Sequence, residues 1–345
     1  PRFMAKRSLR IAISLLLMAV LLAVFFWNVD LGEVREALER ADPGMIAVAV
    51  ALALFGYWFR AVRWQIILRP AGKVRHSSAV LSIAVGYAAM TLLPARMGDL
   101  VRPIVLSRRD RLPLSATLAS MLTERILDLW TVVLYFLAFL VWPPTMANFD
   151  DAARSNLHLL RLTGYAVGVG LVLGTLVLVG LFRYQERFVD LVTRPVARIK
   201  PAWHEPVANF LNHFLDGLRV LQRPRDLAVT VGASLLLWYI IYWQVQAAVV
   251  AFDIHLPLRA TYLLVAVGVI GLAIPTPGGV GGFHNAMQVG LTAFFAVDLN
   301  DATAIAIIHH AICFLPITLI GLLCLPLAGV RFHEVDDLAS EADEP

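Results

Sequence analysis

Residues 79–111 read AVLSIAVGYAAMTLLPARMGDLVRPIVLSRRDR, an apolar block over 79–94 that breaks at Pro94-Ala95-Arg96-Met97-Gly98. Arg96, Arg102, Arg108, Arg109 and Arg111 follow within 95–113, and Arg60, Arg63, Arg69, Lys73 and Arg75 precede it within 60–78. Short loops rich in Lys and Arg stay on the cytoplasmic side of a membrane. With basic stretches on both flanks, the block is expected to enter the bilayer and turn back. Such a re-entrant is tolerated where its backbone is buried in protein or lines a wet cavity.

The rest of the chain agrees with a membrane setting. Of 345 residues, 59% are hydrophobic and only 16% charged, and the mean hydropathy is +0.73. Soluble domains carry roughly a quarter charged residues, so nucleic-acid binders, disordered regulators and disulfide-stapled modules are excluded. The net charge of +4 reflects cytoplasmic loops rather than a polyanionic partner. Cys313 and Cys324 lie eleven apart in one late apolar block and read as packing residues.

About six full spans are predicted: an uncleaved anchor at 11–27 behind Arg2, Lys6, Arg7 and Arg10, then 44–68, 116–142, 164–182, 227–251 and 302–327. Each has about the 17–25 residues a hydrocarbon core requires. The acidic 28–43 and the sparse 143–163 read as outside, and the basic 183–226 as inside. Within that connector Val207, Phe210, Leu211, Phe214, Leu218 and Leu221 recur at helical spacing, as in an amphipathic helix on the inner surface or a small helix under the bundle. Both termini fall in the cytoplasm, and an acidic tail closes the chain at 331–345. Gly164, Gly168, Gly170 and Gly174 offer close-approach surfaces for a neighbouring helix.

A second apolar block, 261–297, is broken at Pro275, Pro277, Gly278, Gly279 and Gly281. Proline and glycine stand four apart in both breaks, and the interval from Pro94 to Pro277 equals that from Gly98 to Gly281, 183 residues. The same shift carries 44–68 onto 227–251 and 116–142 onto 299–325. The charge-derived orientations are opposite. The fold expected for 1–330 is therefore an all-α polytopic membrane domain with two re-entrant hairpins arranged as an inverted repeat. Repeat 1 covers about 44–142 and repeat 2 about 227–325. Inverted repeats place transport sites at the midplane, where broken helices meet.

The block at 116–142 contains Glu124, Arg125 and Asp128. Glu124 and Asp128 share a helix face, with Arg125 about 100° round. A charge at the bilayer centre costs at least about 2.5–3.5 kcal/mol on insertion scales. Two readings stand: an ion-pair network with Arg96 or Arg102, or substrate and proton handling. Arg96 and Arg102, around Asp99, have the fork geometry to clamp a lipid phosphate, or else snorkel to headgroups. His284 and His309 are candidates for proton handling, and His310 reads as packing. The chain has no Walker loop, dinucleotide fingerprint, HExxH zinc motif or GxSxG elbow; no metal, cofactor or nucleic-acid partner is expected, nor a familiar enzyme.

Leu93-Pro94-Ala95-Arg96-Met97-Gly98-Asp99 with Arg102, Glu124-Arg125 with Asp128, and Pro275-Thr276-Pro277-Gly278-Gly279-Val280-Gly281 together resemble the signatures of the lysylphosphatidylglycerol synthase transmembrane-region family, over roughly 10–330. Its members are flippase-like integral membrane proteins of bacteria and archaea. The resemblance implies a lipid translocase of the cytoplasmic membrane, in stand-alone form without the synthase domain. Asp99 stands where the family more often has Glu, and His284 where Glu is usual, which makes a cationic headgroup a less safe inference.

The function expected is movement of an anionic phospholipid or polyprenyl-phosphate-linked precursor between leaflets, alongside envelope lipid or glycan synthesis enzymes as partners. The competing classes are an intramembrane enzyme acting on a lipid headgroup, with Glu124, His284 or His309 as acid and base, and a scaffold for envelope synthesis.

Overall fold

A helix begins at Asp42-Pro43-Gly44, where Asp42 Oδ1 accepts the Gly44 N–H at 2.7 Å and Pro43 occupies the first turn. Proline suits that position because a first-turn N–H has no helical acceptor. The computed structural model describes residues 2–92, 98–142, 162, 164–177, 180, 184–199, 204–217 and 224–328. Among these residues the regular structure is helical, with no strand.

The first six helices are α1 (Arg2–Phe25), α2 (Leu31–Arg40), α3 (Pro43–Leu68), α4 (His76–Leu92), α5 (Gly98–Asp110) and α6 (Leu114–Val141). An apolar helix, α7, covers Gly164–Val177. There follow α8 (Gln185–Ile199), α9 (His204–Gly217), α10 (Pro224–Val250), α11 (Leu258–Ala273), α12 (Gly282–Phe295) and α13 (Leu299–Ala328), with a 3-10 turn at Pro277–Gly279 between α11 and α12.

Helices α3, α10 and α13 are long and apolar enough to cross a membrane. On α13 the two faces separate cleanly. Leu315, Leu319, Leu323 and Leu327, each four apart, are exposed, whereas Ile317, Gly321 and Leu325 are buried or close-packed. An apolar stripe left bare at helical spacing belongs against lipid. The buried face meets α4 so closely that a Cβ at Gly321 would lie 2.1 Å from the Ala84 carbonyl oxygen.

Three sequence expectations need correction. The stretch 95–113 is not a loop, since α5 occupies Gly98–Asp110 and buries Val101, Arg102, Ile104, Val105 and Leu106. The first hairpin is thus α4 with α5. Arg60 and Arg63 belong to no cytoplasmic loop either, because α3 runs on to Leu68 and buries both. Their charge is matched inside the protein, which is why the apolar helix can contain them. The acidic 28–43, about whose local structure nothing was expected, holds α2, whose N-cap Asp30 accepts from the Gly32 and Glu33 amides. Finally, of the four glycines in α7's stretch, Gly164 abuts Leu140 and Phe136, while Gly170 and Gly174 meet nothing within 4 Å. The connector 183–226 contains α8 and α9; Leu218 and Leu221 lie outside the described residues, as does the acidic tail.

A shift of 183 residues carries α3, α4, α5 and α6 onto α10, α11, α12 and α13, to within two residues at every end except the last, which differs by four. Their packing exchanges in the same way. Helix α3 lies on α10. The α4–α13 contact has its mate in α11–α6, α4–α5 in α11–α12, α5–α6 in α12–α13, and α3–α6 in α10–α13.

Candidate functional site

Glu124 and Asp128 are one turn apart on α6, and Arg60 and Arg63 are nearly one turn apart on α3, so the two pairs interdigitate. Arg60 Nη1 donates to Glu124 Oε1 at 2.6 Å and to Asp128 Oδ2 at 3.3 Å. Arg63 Nη1 donates to Asp128 Oδ1 at 2.6 Å, and its Nη2 lies 3.3 Å from Glu124 Oε1. From α5, Arg102 grips both Glu124 oxygens, through Nη1 at 3.1 Å and through Nη2. From α10, Trp238 Nε1 donates to Asp128 Oδ1 at 2.9 Å, and Ser234 Oγ accepts from Arg63 at 3.0 Å.

All five charged side chains are buried, Arg63 and Glu124 completely. Three guanidiniums face two carboxylates, leaving one excess positive charge. Arg102 also stacks on Trp64, its Cζ 4.0 Å from the ring centroid, and Trp64 Nε1 donates to Ser120 Oγ at 2.9 Å. An isolated ion in such surroundings costs several kcal/mol, and removing one partner of a buried pair costs about 3–5 kcal/mol. The cluster therefore ties α3, α5, α6 and α10 together.

The sequence-predicted residues distribute unevenly about this centre. Arg102, Glu124 and Asp128 belong to it. Arg125 points elsewhere and pairs with Asp99 at 3.0 Å, half-exposed. Arg96 and Pro94 lie outside the described residues. Arg60, Arg63, Trp238 and Ser234 escaped sequence reasoning. The signal for the arginines was Trp64-Gln65-Ile66-Ile67-Leu68 after Arg63, which continues the apolar helix beyond them.

The second break packs against the first hairpin. Gly278, Gly279 and Gly281 hold φ of 58°, 73° and 85°, a region costing L-residues about 1–2 kcal/mol each. The Pro277–Gly279 turn sits against α4, with Gly278 beside Thr91 near the end of that helix. The second hairpin's break thus reaches the tip of α4. His310 Nε2 is 2.9 Å from the Gly278 carbonyl oxygen, and the Gly281 N–H donates to His284 Nδ1 at 3.3 Å. The His284 and His310 rings lie 4.5 Å apart. His309 is buried beside Phe283, and neither of its ring nitrogens has a protein partner.

Between these two regions is a cavity of about 150 Å³. Its polar wall includes Arg60, Tyr57, Tyr87, Gln244 and His309, and the rest is mainly apolar. Arg60 belongs to both structures, bonded to the carboxylates on one side and bordering the cavity on the other. A chamber of this size accommodates a phosphate-sized group. No group of three or more His, Cys, Asp or Glu suited to holding a metal occurs among the described residues.

Several relatives match about nine-tenths of the chain or more. The protein named glycosyltransferase AglD, from Haloferax volcanii, is 27% identical over 330 residues, 89% of this chain but 52% of that protein. The chain therefore spans about half the length of that relative. A UPF0104 membrane protein from Methanothermobacter thermautotrophicus is 27% identical over 336 residues, 94% of this chain and 97% of the relative. Another UPF0104 membrane protein, from Pyrococcus horikoshii, is 24% identical over 342 residues, 92% of this chain and 95% of its own length. The model of the lysylphosphatidylglycerol synthase transmembrane region matches residues 9–321. With its buried charge cluster and glycine-rich break both inside the matched region, this chain belongs to the lysylphosphatidylglycerol synthase transmembrane-region family.

Proposed function

We propose that this membrane protein carries an anionic lipid headgroup between leaflets through the cavity bordered by Arg60. The observation that carries the reading is the excess positive charge of the Arg60–Arg63–Arg102–Glu124–Asp128 cluster, one of whose guanidiniums is in the cavity wall. A buried charge in a membrane segment lies on substrate or ion pathways more often than in plain packing. A phosphodiester supplies the balancing negative charge, and planar guanidinium forks bind its oxygens in pairs.

On this reading the two helix sets form an inverted-topology repeat, with α4–α5 entering from the cytoplasmic leaflet and α11–α12 from the other. Exchange of contacts between the sets supports it. The lipid's tails stay in the bilayer while the headgroup passes the break, and rocking of one set against the other exposes the cavity alternately. A phospholipid and a polyprenyl-phosphate-linked glycan present the same anion. The glycosyltransferase name of one relative is compatible with the second, although about half of that relative lies beyond the match.

The test is a leaflet assay in proteoliposomes with a fluorescent phosphatidylglycerol and a membrane-impermeant quencher. Arg60→Gln, shown by thermal melting to be folded, is expected to lose flipping, and Arg60→Lys to retain part of it. Parent-rate flipping by a folded Arg60→Gln protein refutes the assignment.

A further inference from the structure

His309 lies on α13 two residues beyond the position that the 183-residue shift assigns to Glu124 of α6. Glu124 meets three guanidiniums. His309, equally enclosed, has no protein partner at either ring nitrogen. A buried polar group without a partner is destabilising, and native proteins rarely keep one without use. This group borders the same cavity as Arg60.

We propose that His309 is a ligand-contacting residue, forming with Arg60 a two-sided site for the phosphodiester of an anionic lipid. The proposal rests on the translocation reading and names the second wall of its site. Arg60 supplies charge, and the His309 ring N–H donates to a phosphate oxygen without adding charge in its neutral form. The cavity of about 150 Å³ has room for the phosphate. The neighbouring His284 and His310 do not line the cavity, and each has one ring nitrogen bonded to backbone, at Gly281 and Gly278 respectively.

The experiment uses the full chain in proteoliposomes with fluorescent phosphatidylglycerol, and in parallel a fluorescent galactosyl diacylglycerol that lacks phosphate. His309→Leu removes hydrogen bonding at similar bulk, and His309→Gln keeps a donor. The expected result is about a ten-fold slower flipping of the phosphate lipid by His309→Leu, what one hydrogen bond to a charged group contributes. His309→Gln should remain within about three-fold of the parent on the same scale. Thermal melting establishes that both variants are folded. Parent-rate flipping by folded His309→Leu overturns the proposal, as does equal loss in both variants or an equal effect on both lipids. If Arg60→Gln abolishes flipping while His309→Leu does not affect it, only this inference fails; if Arg60→Gln has no effect, the translocation reading itself fails.

Discussion

The two hairpins share helix lengths and packing partners but not chemistry. Around α4–α5 the interior is ionic, with Arg60, Arg63 and Arg102 against Glu124 and Asp128. Around α11–α12 it is neutral and aromatic, with Phe25, Phe283, His284, His309 and His310 in ring contact. Where Arg102 stands eight residues after the first proline, Asn285 stands eight after Pro277, bonded to the carbonyls of Leu21 and Gly281. A shared helical frame therefore does not dictate a shared polar interior. Neutral groups satisfy one another locally, whereas buried charges bind several helices at once because each must find opposite charge.

The sharpest way to break this contrast is Glu124→Ala, which leaves three guanidiniums facing one carboxylate. We expect a loss of about 3–5 kcal/mol, seen as a large fall in melting temperature in detergent or failure to recover folded protein. Asn285→Ala should cost far less, on the order of one or two neutral hydrogen bonds. Equal losses in the two variants would erase the distinction between the hairpins.

Next in size, Trp238→Phe removes the indole N–H from Asp128 while keeping an aromatic ring. A hydrogen bond to a charged group contributes about 1.5–3 kcal/mol, so denaturation should register a loss in that range. The remaining hairpin feature is steric. A Cβ at Gly98 would lie 2.0 Å from the Met90 amide nitrogen, and one at Gly282 would lie 2.4 Å from the Gly271 carbonyl oxygen. Gly98→Ala and Gly282→Ala should both destabilise, by about 1–3 kcal/mol, because here the two hairpins do behave alike.

The smallest expected effect lies at the polar end of the first hairpin. Burial raises the Asp110 carboxyl, but the Arg75 amide, the Ser78 hydroxyl and the Arg75 guanidinium outweigh it and hold the group below its ordinary value. Its contribution is present above the unfolded carboxylate value, near 4, and is lost as pH falls through the folded value. Melting curves of the parent and Asp110→Asn should differ at neutral pH and converge below about pH 4. A constant difference across that window contradicts the assignment.

Much of the helical frame was legible because lipid demands long apolar runs and leaves prolines and glycines conspicuous. Glu124 and Asp128 were legible for the same reason, as charges within such a run. Arg60 and Arg63 were misread because a basic residue near a span's end looks the same whether it faces water or a buried carboxylate. Charge counting also mistook α5 for a loop, since its arginines at 102, 108 and 109 serve different surroundings along one helix.

Alone, the amino-acid order determined a helical membrane chain, two interrupted blocks and their common spacing, since these follow from local hydropathy and backbone chemistry. Only the tertiary structure decided which charges neutralise one another, that Arg60 faces both a carboxylate pair and a cavity, and that His309 is enclosed without a protein partner. Those facts depend on residues far apart in the chain, such as Arg63 and Ser234, 171 positions apart, and the pairing of distant helices is fixed by packing that no local pattern encodes.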